Sequence, residues 1–301
     1  MKDYKREPNN KEMELKRKNE ENIELLLAAA KAAPNADVKN RWKSLAQQGI
    51  VQPKQRSEAW FAARKGRLTG SRWSSFFFIS DEAEFNLFHD RIFGHLNEDG
   101  VRVYAPGEVF DAASQKRMSY GVDFEDNAGG DFLYRFGNCE GLETPCLDVP
   151  GYPWLASSPD GVIKIYDASG NFERVAYEIK CPSPKLCKKT GKSKFKPCNT
   201  PIYYYIMQIH AEMAATGTKA CIFTVWNCVN NKSWYVKFDQ QFWDYIVKLA
   251  EGFRDKAFSF SEFLHIKSFI TSYAKVICKQ ATALHPRGGF ESKFLDKSFE
   301  F

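Results

Sequence analysis

No uninterrupted apolar run in this chain of 301 residues approaches the length that crosses a bilayer, so no membrane-spanning segment is expected. The first residues mix acids with lysines instead of placing a basic stretch before an apolar one, and no signal peptide is read there. The 8 cysteines lack C-x-x-C pairs, which argues against a zinc ribbon and against a disulfide framework. Free thiols in a reduced, intracellular compartment follow as the expectation, nuclear in a eukaryotic or viral setting and cytoplasmic otherwise. Cys187 and Cys198 flank a basic loop; for these two, a metal or a pairing is the alternative to free thiols. There is no internal repeat and no low-complexity stretch beyond one lysine-rich loop.

Aromatic residues, by contrast, are abundant. With 25 Phe, 13 Tyr and 7 Trp and a hydrophobic fraction of 44%, the chain can fill a large core, which excludes a disordered protein. The net charge of +6 is a mild bias toward a polyanionic partner.

The densest chemistry lies between Ser157 and Lys180. Ser158-Pro159-Asp160-Gly161 forms a turn after an apolar-aromatic run, and Tyr177-Glu178-Ile179-Lys180 reads as a strand. Side chains alternate on a strand, so Glu178 and Lys180 share one face while Ile179 points to the layer behind. A hairpin through 165–175 would fold Asp160 back beside Glu178. Two carboxylates at that separation repel unless a hard cation lies between them, and Mg²⁺ is the usual cation where the substrate is a phosphate ester. A salt-bridged surface hairpin is the alternative reading of the same residues.

Around this centre the pattern is helical before and α/β after. Residues 1–22 are charged, and 23–33 favour a helix that Pro34 stops. Ser57 caps a predicted helix over 58–65 that ends at Gly66, and a second helix is expected with Thr69 or Ser71 as its N-cap. Hydroxyls, a helix start, and Arg64, Arg67 and Arg72 together make an expected anion pocket. Residues 81–100 look helical, and a segment opening at Gly121 and containing Glu125 is expected to end or kink at Gly129-Gly130. The loop at 183–199 carries Lys185, Lys188, Lys189, Lys192, Lys194 and Lys196 with no acid among them; it suits either solvent or a passing polyanion. From Pro201 a helix runs to Gly217 with Tyr205, Gln208 and Glu212 along one stripe that is expected to face the site, Ile206, Ile209 and Met213 facing the core, and His210 read as a satisfied or surface histidine, not a ligand. Strands at 220–226 and 234–238 and helices at 240–256 and 260–277 complete an α/β fold with a mixed central sheet flanked by helices.

Taken in order, Trp60…Arg64…Thr69-Gly70-Ser71, Gly121…Glu125…Ala128, Ser158-Pro159-Asp160-Gly161, Glu178-Ile179-Lys180-Cys181-Pro182 and Tyr205…Gln208 resemble the lambda exonuclease/YqaJ viral recombinase family of the PD-(D/E)xK nuclease superfamily. The resemblance covers roughly residues 57–240. It implies a restriction-endonuclease-like core over 51–280, with a charged extension at 1–50 and a tail at 281–301. It also implies Mg²⁺, with Mn²⁺ as a substitute and two ions in the site, held by Asp160, Glu178 and the Ile179 carbonyl. Lys180 would position the attacking water and stabilise the transition state, with Glu125 and Gln208 in support. Arg64, Ser71 and Ser158 match positions that hold a 5′-phosphate; Tyr205 is a weaker match. Thr69 and, from the basic loop, Lys188 and Lys189 join them as expected DNA contacts.

The implied activity is a 5′-to-3′ exodeoxyribonuclease acting on duplex DNA ends for recombination or repair. A single-strand annealing or recombination protein is the implied partner, and a ring-shaped homotrimer the family's prototype assembly. The alternatives are a structure-specific endonuclease on the same core and a non-catalytic DNA-end-binding module. An iron–sulfur version is rejected, because only Cys278 lies in the last fifty residues.

Overall fold

The computed structural model describes residues 58–136, 139–142, 147–166, 172–183, 198–226 and 231–285. The helix expected at 23–33, Ser57, Cys187, the lysine-rich loop with Lys188 and Lys189, and the chain after residue 285 lie outside these.

Helix α1 (Glu58–Arg64) ends as expected at Gly66, whose φ of +72° is the left-handed turn that glycine adopts without strain. Strand β1 (Leu68–Thr69) leads into a 3₁₀ helix, Gly70–Phe77, where an α-helix was expected. Thr69 sits at its N-cap position but makes no capping bond, because its hydroxyl is engaged by Arg64. Helix α2 (Glu82–Ile92) is capped by the Asp81 carboxylate and stops well short of residue 100. Gly94 and Gly100, both at positive φ, turn the chain into a ribbon of β2 (His95–Leu96) and β3 (Arg102–Val103).

Helix α3 (Ala112–Phe136) passes without a break through Gly129-Gly130, which corrects the expected end or kink. Each mid-helix glycine costs about 1 kcal/mol against alanine, but burial of Ala128, Phe132 and Phe136 along one face outweighs local propensity.

Strands β4 (Cys139–Leu142), β5 (Leu147–Val149), β6 (Tyr152–Ser157), β7 (Gly161–Tyr166) and β8 (Phe172–Lys180) follow. A 3₁₀ turn, Tyr203–Tyr205, opens helix α4 (Ile206–Thr216), which Gly217 terminates in the left-handed conformation. Then come β9 (Ala220–Trp226), β10 (Asn231–Lys237), α5 (Gln240–Arg254), α6 (Phe260–Gln280) and β11 (Thr282–Leu284).

The main sheet has the order β11-β10-β9-β8-β7-β4, with β8 and β9 parallel and the other neighbours antiparallel. A second sheet, β1-β6-β5, takes the apolar-aromatic run at 152–157, so the hairpin that carries the charged residues is β7–β8 alone. Thr282–Leu284, which the sequence reading assigns to the tail, supply an edge strand of the main sheet.

Helices cover both faces of that sheet. Trp73, Phe76, Phe223, Trp234, Phe242, Phe253 and Phe263 fill one layer, beneath α2, α4, α5 and α6. Phe76 meets Phe253 edge-on at 4.9 Å, and Phe85 packs 4.8 Å from Phe263. This layer accounts for much of the phenylalanine in the chain, each buried ring contributing roughly 1.5–3 kcal/mol. Helix α3 closes the other face on Ile163, Val175, Tyr177 and Ile179. Among the described residues no helix is long and apolar enough to cross a membrane.

Candidate active site

Alternation along β8 sorts its side chains between the two layers. Ala176 joins the α4 layer, whereas Val175, Tyr177 and Ile179 join the α3 layer, and Glu178 accordingly reaches α4. Because β7 and β8 are antiparallel, β7 begins where β8 ends, and Gly161 pairs with Tyr177. Asp160, one residue earlier, is thereby folded back onto β8, where its Oδ2 accepts the Ile179 main-chain N–H at 2.6 Å.

Both helical layers contribute to this corner. Glu178 Oε1 accepts from Lys180 Nζ at 2.5 Å and from Gln208 Nε2 at 2.5 Å. The same amide nitrogen donates to Glu212 Oε1 at 2.7 Å. From the opposite layer Glu125 of α3 hydrogen-bonds the Asp160 carboxyl. Glu125 lies one turn before Ala128 on the buried face of α3, and that spacing is what brings it over the strand ends. Tyr205 sits against Lys180, whose Nζ is 5.0 Å from the ring centroid.

Ionisation reflects this crowding. Burial, then the charge of Glu178, then Glu125, push the Asp160 carboxyl well above the usual range. Burial and Glu178 do the same to Glu212. For Lys180, burial opposes the charge, but Glu178, Tyr205 and Asp160 outweigh it and raise the ammonium above its ordinary value. A lysine held so firmly charged suits charge stabilisation and the orientation of a water molecule.

Four oxygens here are buried without an N–H or O–H donor among the described residues: Glu178 Oε2, Gln208 Oε1, Glu212 Oε2 and, beside them, Ser157 Oγ, the Glu178 and Glu212 carboxyls facing each other. Buried polar atoms are nearly always satisfied, so such a group calls for a donor or a cation. Hard oxygen donors of this kind fit Mg²⁺ or Mn²⁺. Among the described residues, no group of three or more His, Cys, Asp or Glu side chains is arranged to hold a metal. The set expected from the sequence does not require one, since it consists of two carboxylates and the Ile179 carbonyl.

Beside this corner lies a second cluster. Arg64 stacks 4.0 Å over the Trp60 ring and donates to Thr69 Oγ1 at 3.0 Å and to Ser71 Oγ at 2.9 Å. Trp60 Nε1–H in turn donates to Ser158 Oγ at 3.0 Å, two residues before Asp160. Arg64, Thr69, Ser71 and Ser158 are therefore brought together. Gly70 lets the turn approach closely: a Cβ there would stand 2.5 Å from Ser157 Oγ and 3.5 Å from Glu212 Oε1.

The expected gathering of three arginines is not what forms. Arg67 is buried in an ion pair with Asp148 and also donates to the Leu155 and Ala63 carbonyls, because a guanidinium taken out of water needs partners for its N–H groups. Arg72 faces Glu108 and Arg91 instead. The sequence placed Glu212 on the stripe expected to face the site and Trp60 beside Arg64 in the resemblance, but assigned neither a chemical role; the signal for Glu212 was its position four residues after Gln208 on one helix face. His210 is a satisfied core histidine as expected, its Nδ1–H donating to the Ile206 carbonyl at 2.8 Å and its Nε2 accepting the Asp239 N–H at 3.1 Å.

A parallel β8–α4–β9 crossover beside an antiparallel hairpin, with Asp160, Glu178 and Lys180 at the strand ends, gives the mixed sheet flanked by helices that the sequence leads one to expect. The model of the YqaJ-like viral recombinase domain matches residues 59–219, and the chain belongs to that family. No curated protein matches it. Among solved structures, an alkaline exonuclease (LHK-Exo) from Laribacter hongkongensis is similar at 22% identity and a TM-score of 0.42, over 74% of this chain and 99% of that one. The complex of LHK-Exo with dAMP is similar at 23% identity, with the same TM-score and coverage.

Proposed function

We propose that this protein is a divalent-metal-dependent deoxyribonuclease that degrades duplex DNA from 5′-phosphorylated ends, leaving 3′ single strands for recombination or repair. The observation that carries the reading is the adjacency of two clusters: the Asp160/Glu178/Lys180 corner and the Arg64/Thr69/Ser71 cluster tied to Ser158. Asp160, Glu178 and the Ile179 carbonyl would hold Mg²⁺ or Mn²⁺. Bound there, a hard divalent cation supplies charge neutralisation at the scissile phosphate and makes an attacking water more acidic.

The protein's own groups account for the remaining roles. Lys180, held charged between Glu178 and Tyr205, stabilises negative charge that develops on the phosphate oxygens. Gln208 and Glu125 fix the two carboxylates from opposite layers. Arg64, stiffened by its stack on Trp60, presents guanidinium N–H groups beside two hydroxyls, a donor set suited to a terminal phosphate.

The test is digestion of an end-labelled linear duplex, with and without a 5′-phosphate, in Mg²⁺ and in EDTA, beside a closed circle. Metal-dependent loss from phosphorylated 5′ ends is expected, with none on the circle and none with Lys180→Ala. Arg64→Ala should lower the preference for a 5′-phosphate roughly 10- to 100-fold, the worth of a hydrogen bond to a charged group. Cutting of the circle would make the protein an endonuclease; salt-sensitive binding without cleavage would make it an end-binding module.

A further inference from the structure

Glu212 is the one acid of this corner to which the expected reaction gives no work. It is wholly buried on α4, between Ala211 and Met213, which are buried as well and belong to the core. A carboxyl in such a place costs stability unless it is used, and an apolar residue would fill the site more cheaply.

Its hydrogen bond with Gln208 is informative. The Gln208 amide has two N–H groups, and Nε2 lies within bonding distance of two acceptors, Glu178 Oε1 and Glu212 Oε1. With both acceptors in place, the amide cannot flip without setting its own oxygen against a carboxylate oxygen. Nε2 is therefore locked on Glu178 Oε1, which also accepts from Lys180. Rotation of the Glu178 carboxyl is blocked by these two donors and by the Glu212 carboxyl, which lies within hydrogen-bond reach of it, and Oε2 is left buried with no N–H or O–H donor among the described residues.

Resting on the nuclease reading above, we infer that Glu212 is a positioning residue: acting through Gln208, it holds the Glu178 carboxyl so that Oε1 stays with Lys180 and Oε2 is presented to the divalent cation. Gly70 belongs to the same device. Its missing side chain leaves the space in which Ser157 Oγ and Glu212 Oε1 meet the 3₁₀ turn, so the anion cluster and the carboxylate cluster are packed as one unit.

The test compares wild type, Glu212→Leu and Glu212→Gln, the last of which keeps an amide oxygen able to accept from Gln208. Mn²⁺ binding to DNA-free protein is measured by calorimetry, together with kcat, KM and the thermal midpoint without metal. Outer-sphere partners of metal ligands are commonly worth 10- to 100-fold in metal affinity or activity. Glu212→Leu should therefore weaken Mn²⁺ binding and lower kcat by about that factor, with KM for DNA and the metal-free midpoint unchanged or the midpoint raised. Glu212→Gln should recover to within a few-fold of wild type. Wild-type Mn²⁺ affinity and kcat in Glu212→Leu would overturn the inference. So would a loss in Glu212→Leu that tracks a fall in the midpoint and is not recovered by Glu212→Gln, which would make the residue merely structural. Wild type that neither binds Mn²⁺ nor cuts DNA would instead sink the nuclease reading itself.

Discussion

Helix α4 carries two buried polar clusters less than a turn apart, and they follow opposite rules. On one side His210 has both ring nitrogens paired, one as donor to a carbonyl and one as acceptor from an N–H. On the other, Gln208 and Glu212 reach toward Glu178 and leave three oxygens of this trio with no N–H or O–H donor among the described residues. Arg67 obeys the first rule through its two terminal nitrogens, which reach Asp148 and the Leu155 and Ala63 carbonyls, although its Nε is buried without a partner among the described residues. Satisfied buried polar groups hold a fold together, whereas unsatisfied ones gathered at one corner mark the place where something else has to bind. Stability and activity should therefore respond to different residues.

The sharpest way to break that contrast is Asp160→Asn. Cleavage should fall at least a thousandfold, roughly 4 kcal/mol of barrier. Folding disfavours the charged form of Asp160, so the neutral amide should leave the metal-free thermal midpoint unchanged or raise it. A midpoint several degrees lower would show that this corner also bears structure.

Arg67→Met should do the reverse. Deprived of its guanidinium, the buried Asp148 carboxylate costs the fold about 3 kcal/mol or more. Turnover per folded molecule should stay near wild type, and Asp148→Leu in the same chain should recover much of the stability in urea melts. Loss of cleavage at full stability would place Arg67 in the chemistry after all.

The effect expected of His210 appears only with pH. Burial lowers its pKa from 6.5 to about 4, so the unfolded chain takes up the proton more readily. The stability it contributes is fully present above pH 6.5 and is lost as pH falls toward 4, an upper bound of about 3 kcal/mol. Asp160 and Glu212, shifted upward, act in the opposite direction, so the measurement is the difference in urea midpoint between wild type and His210→Gln from pH 7 to pH 5. Equal slopes in the two proteins would mean that His210 is not held neutral.

Much of the corner was legible before any coordinates. Alternation in a strand is a local rule, so Glu178 and Lys180 on one face and Ile179 on the other could be read directly, and so could the helical stripe of Tyr205, Gln208 and Glu212. The hairpin that returns Asp160 to β8 followed from turn residues and from the strands on either side. Arg67 could not be separated from Arg64 in this way. Both stand at the same turn, and only the position of Asp148, 81 residues further on, draws one inward and leaves the other to the hydroxyls of Thr69 and Ser71.

Helix and strand periods, the mixed sheet between helical layers, and the identity of the charged residues at the strand ends were thus set by rules that act over a few neighbouring residues. What tertiary structure alone decided were the assignments that depend on distant partners. They include the separation of β6 into its own sheet, the return of Thr282–Leu284 to the sheet edge, and the passage of α3 through Gly129-Gly130. They also include the meeting of Glu125 from one layer with Gln208 and Glu212 from the other. Burial and hydrogen-bond satisfaction are properties of the whole packed chain, and where local propensity is worth tenths of a kcal/mol per residue they outweigh it.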